Sequence, residues 1–342
     1  MKVALLEAAG RIVLRDADDV RPGPGEILIK TAFAGVCGSD LHAFQGAHPF
    51  RKPPVVLGHE VSGMVAELGA GVTGFRLGDR VTVMPLLACG TCVPCRAGEE
   101  NICLNKTVPG VEGWLGTFAE YFLSRPSVTY RVGDGTGLDL AVLAEPLAVG
   151  VHSVSRRGRV QAGNRVLVLG AGTIGILTAC AARLAGASEI AVTDVFPFNA
   201  NLAREMCGAR SYDARTDGLE DAVLRDYPQK FDVTFLCSAA PATVGQAFRL
   251  TRRGGRIVVT GLFHAPVPTE LTAIALNEFE VAGSVIYDHC DFQTAVDWLN
   301  ERRLDFEKLI THILPLEQAQ TALSLLAQHT EDVAKILLKT DA

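Results

Sequence analysis

The chain has 342 residues, 48% of them hydrophobic and 20% charged, with a formal net charge of −6. At about 150 residues per domain, that length predicts two domains, each long enough to bury a core. The acidic balance offers no general attraction to nucleic acid or anionic lipid. No continuous apolar run approaches the ~18 residues of a membrane span. The first residues lack the apolar core and cleavage site of a secretion signal, so a cytoplasmic location is expected.

In chain order, the opening segment reads as two short strands around Ala8-Ala9-Gly10. Alternating strands follow in EILIKTAFAG, SGMVAELG and DRVTVM, punctuated by the turns PGPG and GAGVTG. That pattern predicts a barrel-like β domain over the first ~140 residues. Around Leu140–Arg157 the pattern turns helical. From Asn164 onward, short Val/Ile/Leu runs (RVLVLG, SEIAVTD, FDVTFLCSA, GRIVVTG) alternate with helical segments such as TIGILTACAARLAG and ATVGQAFRL. Such runs predict a parallel sheet covered on both faces. Beyond about Gly283 the pattern changes again, ending in two helices and the strand AKILLK. The reading is therefore a nucleotide domain inserted between two segments of a catalytic domain, with no internal repeats.

Gly170-Ala171-Gly172-Thr173-Ile174-Gly175 lies between a predicted strand and a predicted helix. The first glycine permits the tight turn, the second lets a pyrophosphate approach the backbone, and the third allows close helix–strand packing. Asp194 ends the next strand, where an acid would accept ribose hydroxyls. A carboxylate there repels a 2′-phosphate, and Val195 to Asn199 offer no cation, so NAD rather than NADP is expected.

Nine cysteines are present, and Cys89, Cys92, Cys95 and Cys103 fall in the pattern C-x2-C-x2-C-x7-C. In a reducing compartment four thiolates in one short lobe predict a closed tetrahedral zinc site, with an iron–sulfur cluster as the rival. Cys180, Cys207 and Cys237 read as buried fillers, and Cys290 has no assigned role. Upstream, Cys37 sits in GVCGSDLH and His59-Glu60 in VVLGHEVSG. A thiolate, an imidazole and a carboxylate form the mixed set of a zinc that keeps one position open.

GHE-VSG, the later four-cysteine lobe, EP-LAVGVH and GAGTIG occur in this order across essentially the whole chain. In these motifs the sequence resembles the zinc-containing medium-chain alcohol dehydrogenases, within them the branch of sorbitol, xylitol, galactitol-phosphate, butanediol and threonine dehydrogenases. The resemblance implies an α/β fold, a GroES-like β-barrel catalytic domain joined to a Rossmann doubly wound sheet. It divides the chain into a catalytic domain over residues 1–148 with a zinc lobe at about 85–105, an NAD-binding domain over residues 149–285 and a return to the catalytic domain over residues 286–342. It implies two Zn2+ per chain, one of them catalytic on Cys37 and His59 with Glu60 or Glu145 completing the set. Glu145 stands where liver-type enzymes carry a cysteine, which disfavours a simple ethanol dehydrogenase. It further implies that Ser39 accepts the hydroxyl proton of a small-molecule alcohol and His42 passes it on. A homodimer or homotetramer is implied, with NEFEVAGSVIYD as a strand for pairing between subunits.

Substrate signals are thin. Phe44, Trp114, Leu115 and Phe118 are candidate pocket residues that serve equally well as core. Arg51-Lys52 reads first as a solvated loop pair, and second as a grip for a phosphate or carboxylate. A neutral polyol oxidised to a ketose is the leading expectation. A phosphorylated polyol, sugar acid, vicinal diol or threonine is the alternative. His152 and His289 are left to core or surface placement.

Overall fold

The structure, a computed structural model, describes residues 1–340 apart from 112 and 329–331. The chain divides into two compact units. The first comprises Met1–Glu145, Asp288–Arg302 and Leu309–Ala342, and the second Pro146–Tyr287 with Arg303–Lys308.

The first unit is built on two sheets. A three-stranded sheet places Lys2–Ala8 between Arg11–Asp16 and Val55–Val56. A seven-stranded sheet centres on Ile27–Val36, which pairs antiparallel with Glu60–Leu68, with the late strand Lys335–Lys339, and with Tyr121–Ser124. Inward residues of the central strand, Ile27, Ile29 and Ala34, are fully buried, as the apolar pattern of EILIKTAFAG requires. The register sets Gly35 opposite Glu60 and Val36 opposite Ile336. Three remote stretches of the sequence thus meet at one end of this sheet.

The second unit holds six parallel strands. Across the sheet they run Arg210–Asp213, Glu189–Asp194, Arg165–Leu169, Phe231–Leu236, Thr251–Val259, Glu280–Gly283. Numbered in chain order this is 3-2-1-4-5-6, the doubly wound arrangement, with its switch point beside Arg165–Leu169. The core strands are sealed, Val166 through Leu169 being inaccessible to solvent.

One helical run, Leu138–Gly158, has the length and apolarity of a membrane span, with a mean hydropathy of 1.3 in its best window. Of that window 78% is buried inside the protein, so it serves as a core helix. Continuous-run reading of the sequence passes over it because glutamate, proline and histidine interrupt the apolar residues.

Candidate active site

Cys37 follows the end of the central strand and N-caps a short helix, Gly38–Phe44. Asp40 closes that cap: its Oδ2 accepts the Cys37 N–H at 3.1 Å, while Oδ1 accepts the Gly58 N–H at 3.1 Å. The same Oδ1 lies 3.6 Å from Nδ1 of His59. Asp40 is fully buried. Burial pushes its carboxyl up, but His59, Arg51 and the Cys37 N–H bring it below the usual carboxylate range. Asp40 therefore ties both Cys37 and His59 to one fixed anion, a role that a sequence reading confined to sulfur, imidazole and glutamate overlooks. The signal for it is an acid three residues after the helix cap.

Cys37, His59 and Glu60 bring one donor atom each to within 4.8 Å of the others. A thiolate, an imidazole and a carboxylate at that separation, in a largely buried setting, fit a Zn2+ ion. Glu145 is buried but lies outside that group.

Lys335 is the second residue that sequence reading overlooks. Its ammonium lies 2.5 Å from Glu60 and donates to the Val36 carbonyl at 3.0 Å, with both charged side chains sealed from solvent. Burial opposes its charge, yet Glu60, with Cys37 and Glu145 adding, holds it above the usual lysine range. Gly35 makes the pair possible, since a Cβ there would sit 1.7 Å from Glu60 Oε2. A lysine that opens the apolar strand KILLK, ahead of Ile336-Leu337-Leu338, is the sequence signal.

Ser39 and His42 stand three residues apart on the short helix, and so on one face. The cap of that helix is Cys37 with Asp40 closing the box, so Ser39 is left without a capping duty. Its Oγ accepts a long hydrogen bond, 3.4 Å, from Nη1 of Arg51. Here the expectation of a solvated pair is corrected: Lys52 is exposed, but Arg51 is only 6% exposed. The segment after the helix folds back under Pro109, whose carbonyl accepts from Arg51 Nε at 3.1 Å. His48 Nδ1 accepts the Arg51 N–H at 3.1 Å. Burial and the Arg51 charge pull that imidazole down to about 4.

The candidate pocket residues separate. Phe44 and Phe118 belong to the core. Trp114 and Leu115 line a cavity of about 500 Å3 beside the cysteine lobe, with Leu87, Cys89 and Tyr121. His152 is buried, whereas His289 is half-buried and bonded to Tyr130 at 2.7 Å.

The cysteine lobe is a compact cage. Cys92 Sγ lies 3.3 Å from Cys95 and 3.8 Å from Cys103, and Cys89 lies 4.0 Å from Cys95. A tetrahedron of sulfurs at Zn–S distances of ~2.3 Å has an edge of about 3.8 Å. No pair approaches the ~2.05 Å of a disulfide. The Thr91 N–H and hydroxyl and the Cys92 N–H pull the Cys89 thiol down to about 5, the environment of a thiolate. Cys180 and Cys207 are buried as expected, and Cys237 is half-buried.

In the second unit Gly170 turns with φ +98°, and a Cβ on Gly175 would meet the Gly170 carbonyl at 1.8 Å. Around Gly172 nothing lies within 4 Å of an added Cβ, which leaves backbone open to a phosphate. Thr173, Ile174 and Gly175 form the first turn of the twelve-residue helix Thr173–Leu184, whose N–H groups suit an anion. Asp194 accepts the Ala171 N–H at 2.6 Å and the Phe196 N–H at 2.8 Å.

Comparison with known proteins agrees with both halves. The alcohol dehydrogenase GroES-like domain matches residues 23–134 and the zinc-binding dehydrogenase family matches residues 173–301. The sorbitol dehydrogenase of Bacillus subtilis is 30% identical over 99% of this chain and 97% of its own length. The chain belongs to the zinc-dependent medium-chain alcohol dehydrogenases. A 2-dehydro-3-deoxy-L-galactonate 5-dehydrogenase of Pseudoalteromonas atlantica is 32% identical, covering 89% of this chain and 88% of its own. A structure from Sinorhizobium meliloti described as a zinc-binding dehydrogenase bound to NADP superposes with a TM-score of 0.93. It is 32% identical and covers 99% of this chain and 98% of its own. As a member of this family the protein is an NAD(P)-dependent zinc dehydrogenase of alcohols or polyols.

Proposed function

We infer that this dehydrogenase oxidises a secondary alcohol of a polyhydroxylated substrate to a ketone with NAD+. The observation that carries the reading is the Cys37, His59 and Glu60 group, with Ser39 two residues beyond its thiol. Cys37, His59 and Glu60 hold the catalytic zinc, and Glu145 is the carboxylate that can exchange with Glu60 or act through water. Cys89, Cys92, Cys95 and Cys103 hold the structural one. Bound zinc supplies the Lewis acidity that lets a hydroxyl ionise near neutral pH, and NAD+ supplies the hydride acceptor.

The remaining work belongs to side chains. Asp40 keeps Cys37 and His59 at fixed angles, and Lys335 sets the Glu60 carboxylate. Ser39 Oγ takes the proton of the substrate hydroxyl, and His42, one turn on, passes it towards solvent. The bond from Arg51 occupies one lone pair of Ser39 and leaves the other to accept that proton. In the second unit Gly170, Gly172 and Gly175 with the helix start at Thr173 and Ile174 cradle the pyrophosphate, and Asp194 accepts the ribose hydroxyls.

The choice of NAD+ rests on Asp194. Ala214 ties the neighbouring loop to the Asp194 carbonyl, and the cation on that loop, Arg215, is taken up by Asp213 at 2.7 and 3.0 Å. Among the described residues, a 2′-phosphate would therefore face the Asp194 carboxylate beside an arginine already paired with Asp213.

The test is NADH formation by zinc-loaded protein over sorbitol, xylitol, L-iditol, galactitol, L-gulonate, 2,3-butanediol and threonine. Turnover of a polyhydroxylated member supports the reading. Silence across the panel with both zinc sites filled refutes it.

A further inference from the structure

Arg51 poses a physical problem that the catalytic reading leaves unsolved. A guanidinium is rarely buried unless paired with an anion, because desolvating it costs several kcal/mol. Arg51 is 6% exposed, yet among the described residues no carboxylate lies within 4.0 Å of it. Its side-chain partners are two neutral oxygens, the Pro109 carbonyl and the hydroxyl of Ser39. Its neighbour His48 is uncharged at neutral pH. Asp40 feels the charge of Arg51, but its two oxygens are engaged by Cys37, Gly58 and His59.

The guanidinium has five hydrogens, of which Nε uses one on Pro109 and Nη1 one on Ser39. The Nη1–Nη2 edge keeps three donors. Among the described residues the sealed side-chain nitrogen and oxygen atoms that make no hydrogen bond are on Thr31, His59, Glu60, Arg80 and Thr260. No nitrogen of Arg51 is among them, so this edge reaches accessible space.

We propose that Arg51 is the anion-binding residue of the substrate site, and that the oxidised alcohol carries a carboxylate: a polyhydroxy acid, not a neutral polyol. The inference rests on the reading of Ser39 as the group that meets the reacting hydroxyl. A fork of two parallel N–H donors matches the two oxygens of one carboxylate. A phosphate dianion would call for more cations, and Lys52 is exposed with its ammonium on the Gly46 carbonyl. The reach fits as well. With hydrogen bonds of ~2.8 Å at either end and 3.4 Å between Nη1 and Ser39 Oγ, acid and reacting hydroxyl can be separated by up to about 9 Å. A six-carbon hydroxy acid spans less.

The experiment compares D-gluconate, L-idonate, L-gulonate and D-galactonate with sorbitol, L-iditol, galactitol and galactitol 1-phosphate, using zinc-loaded full-length protein and NAD+. One acid is expected to exceed its matched hexitol by about a hundredfold in kcat/KM. Arg51→Gln should reduce that acid-to-hexitol ratio by about a hundredfold, chiefly through KM for the acid, and Arg51→Lys should recover some of it. Preference for a hexitol or for galactitol 1-phosphate overturns the proposal, as does an Arg51→Gln loss that appears in KM for NAD+. Titration calorimetry of the same compounds separates this proposal from the dehydrogenase reading. Arg51-dependent binding of an acid without turnover keeps Arg51 as an anion-binding residue but removes both that reading and the acid as the oxidised substrate. Neither binding nor turnover of any acid removes the proposal.

Discussion

Removing the positive partner of Glu60 tests the electrostatic design of the site. In Lys335→Met the buried Glu60 carboxylate loses the ammonium 2.5 Å away, and the Val36 carbonyl loses its donor. Breaking one side of a sealed ion pair costs about 3–5 kcal/mol, because the stranded charge retains its desolvation penalty. Both tryptophans, Trp114 and Trp298, lie in the first unit, so fluorescence-monitored urea unfolding reports the unit that holds the pair. We expect Lys335→Met to lower its stability by about 4 kcal/mol at pH 7. Gly35→Ala should approach the same loss from the other side, since its methyl would occupy the position of Glu60 Oε2. The double variant Glu60→Gln with Lys335→Met should be more stable than Lys335→Met alone, because no charge is left stranded. A cost below about 1 kcal/mol for Lys335→Met would refute the reasoning, as would additivity of the two changes within about 0.5 kcal/mol.

Four further outcomes are expected. His48 titrates at about 4 in the fold, against about 6.5 in the unfolded chain, through burial and then the charge of Arg51. The unfolded state therefore binds the extra proton between these values. Stability is full above pH 6.5 and falls by about 3 kcal/mol on acidification to pH 4, a slope that His48→Gln should flatten in urea titrations. Asp194→Gly should move the NADP+ to NAD+ ratio of kcat/KM upward by at least about tenfold, and an unchanged ratio would remove Asp194 from the ribose site. Metal analysis should find two zinc ions per chain, falling to one in Cys95→Ser with a lowered melting temperature, whereas Cys37→Ser should keep the lobe's ion and lose turnover. Val281→Arg, on the strand Glu280–Gly283 whose described pairing is confined to Thr251–Val259, should reduce the sedimenting species to monomer; a monomeric wild type would end that reading.

Where chemistry depends on local spacing, the sequence is readable. The cysteine cage follows from C-x2-C-x2-C-x7-C, because a short loop can fold onto one ion with no help from the rest of the chain. The turn at Gly170 is readable for a similar reason, since its steric demands arise within six residues. The strand Arg210–Asp213 is not readable from RSYD. It is a short edge strand with no apolar run, and parallel pairing to Glu189–Asp194 alone defines it. Arg51 beside Lys52 looks like any exposed basic pair until Pro109, 58 residues later, closes over one of the two. Lys335 is read correctly as belonging to a strand, but its partner lies 275 residues earlier, beyond the reach of any periodicity.

The placement of Lys335 also bears on why the last strand returns to the first unit. Cys37 follows the end of Ile27–Val36, Glu60 opens the strand on one side, and Lys335 opens the strand on the other. Antiparallel pairing on both sides brings these three termini to the same end of the sheet, with Gly35 opposite Glu60 and Val36 opposite Ile336. A helix or loop carrying the lysine would have to order a long side chain over a flexible path, at an entropic cost of up to about 2 kcal/mol for the lysine alone. A strand locked by register delivers the ammonium at a fixed depth, where its hydrogen bond to Val36 and its contact with Glu60 are made together. The candidate group Cys37, His59 and Glu60 is thus local to the first sixty residues, but the charge that makes a buried Glu60 tolerable comes from the far end of the chain.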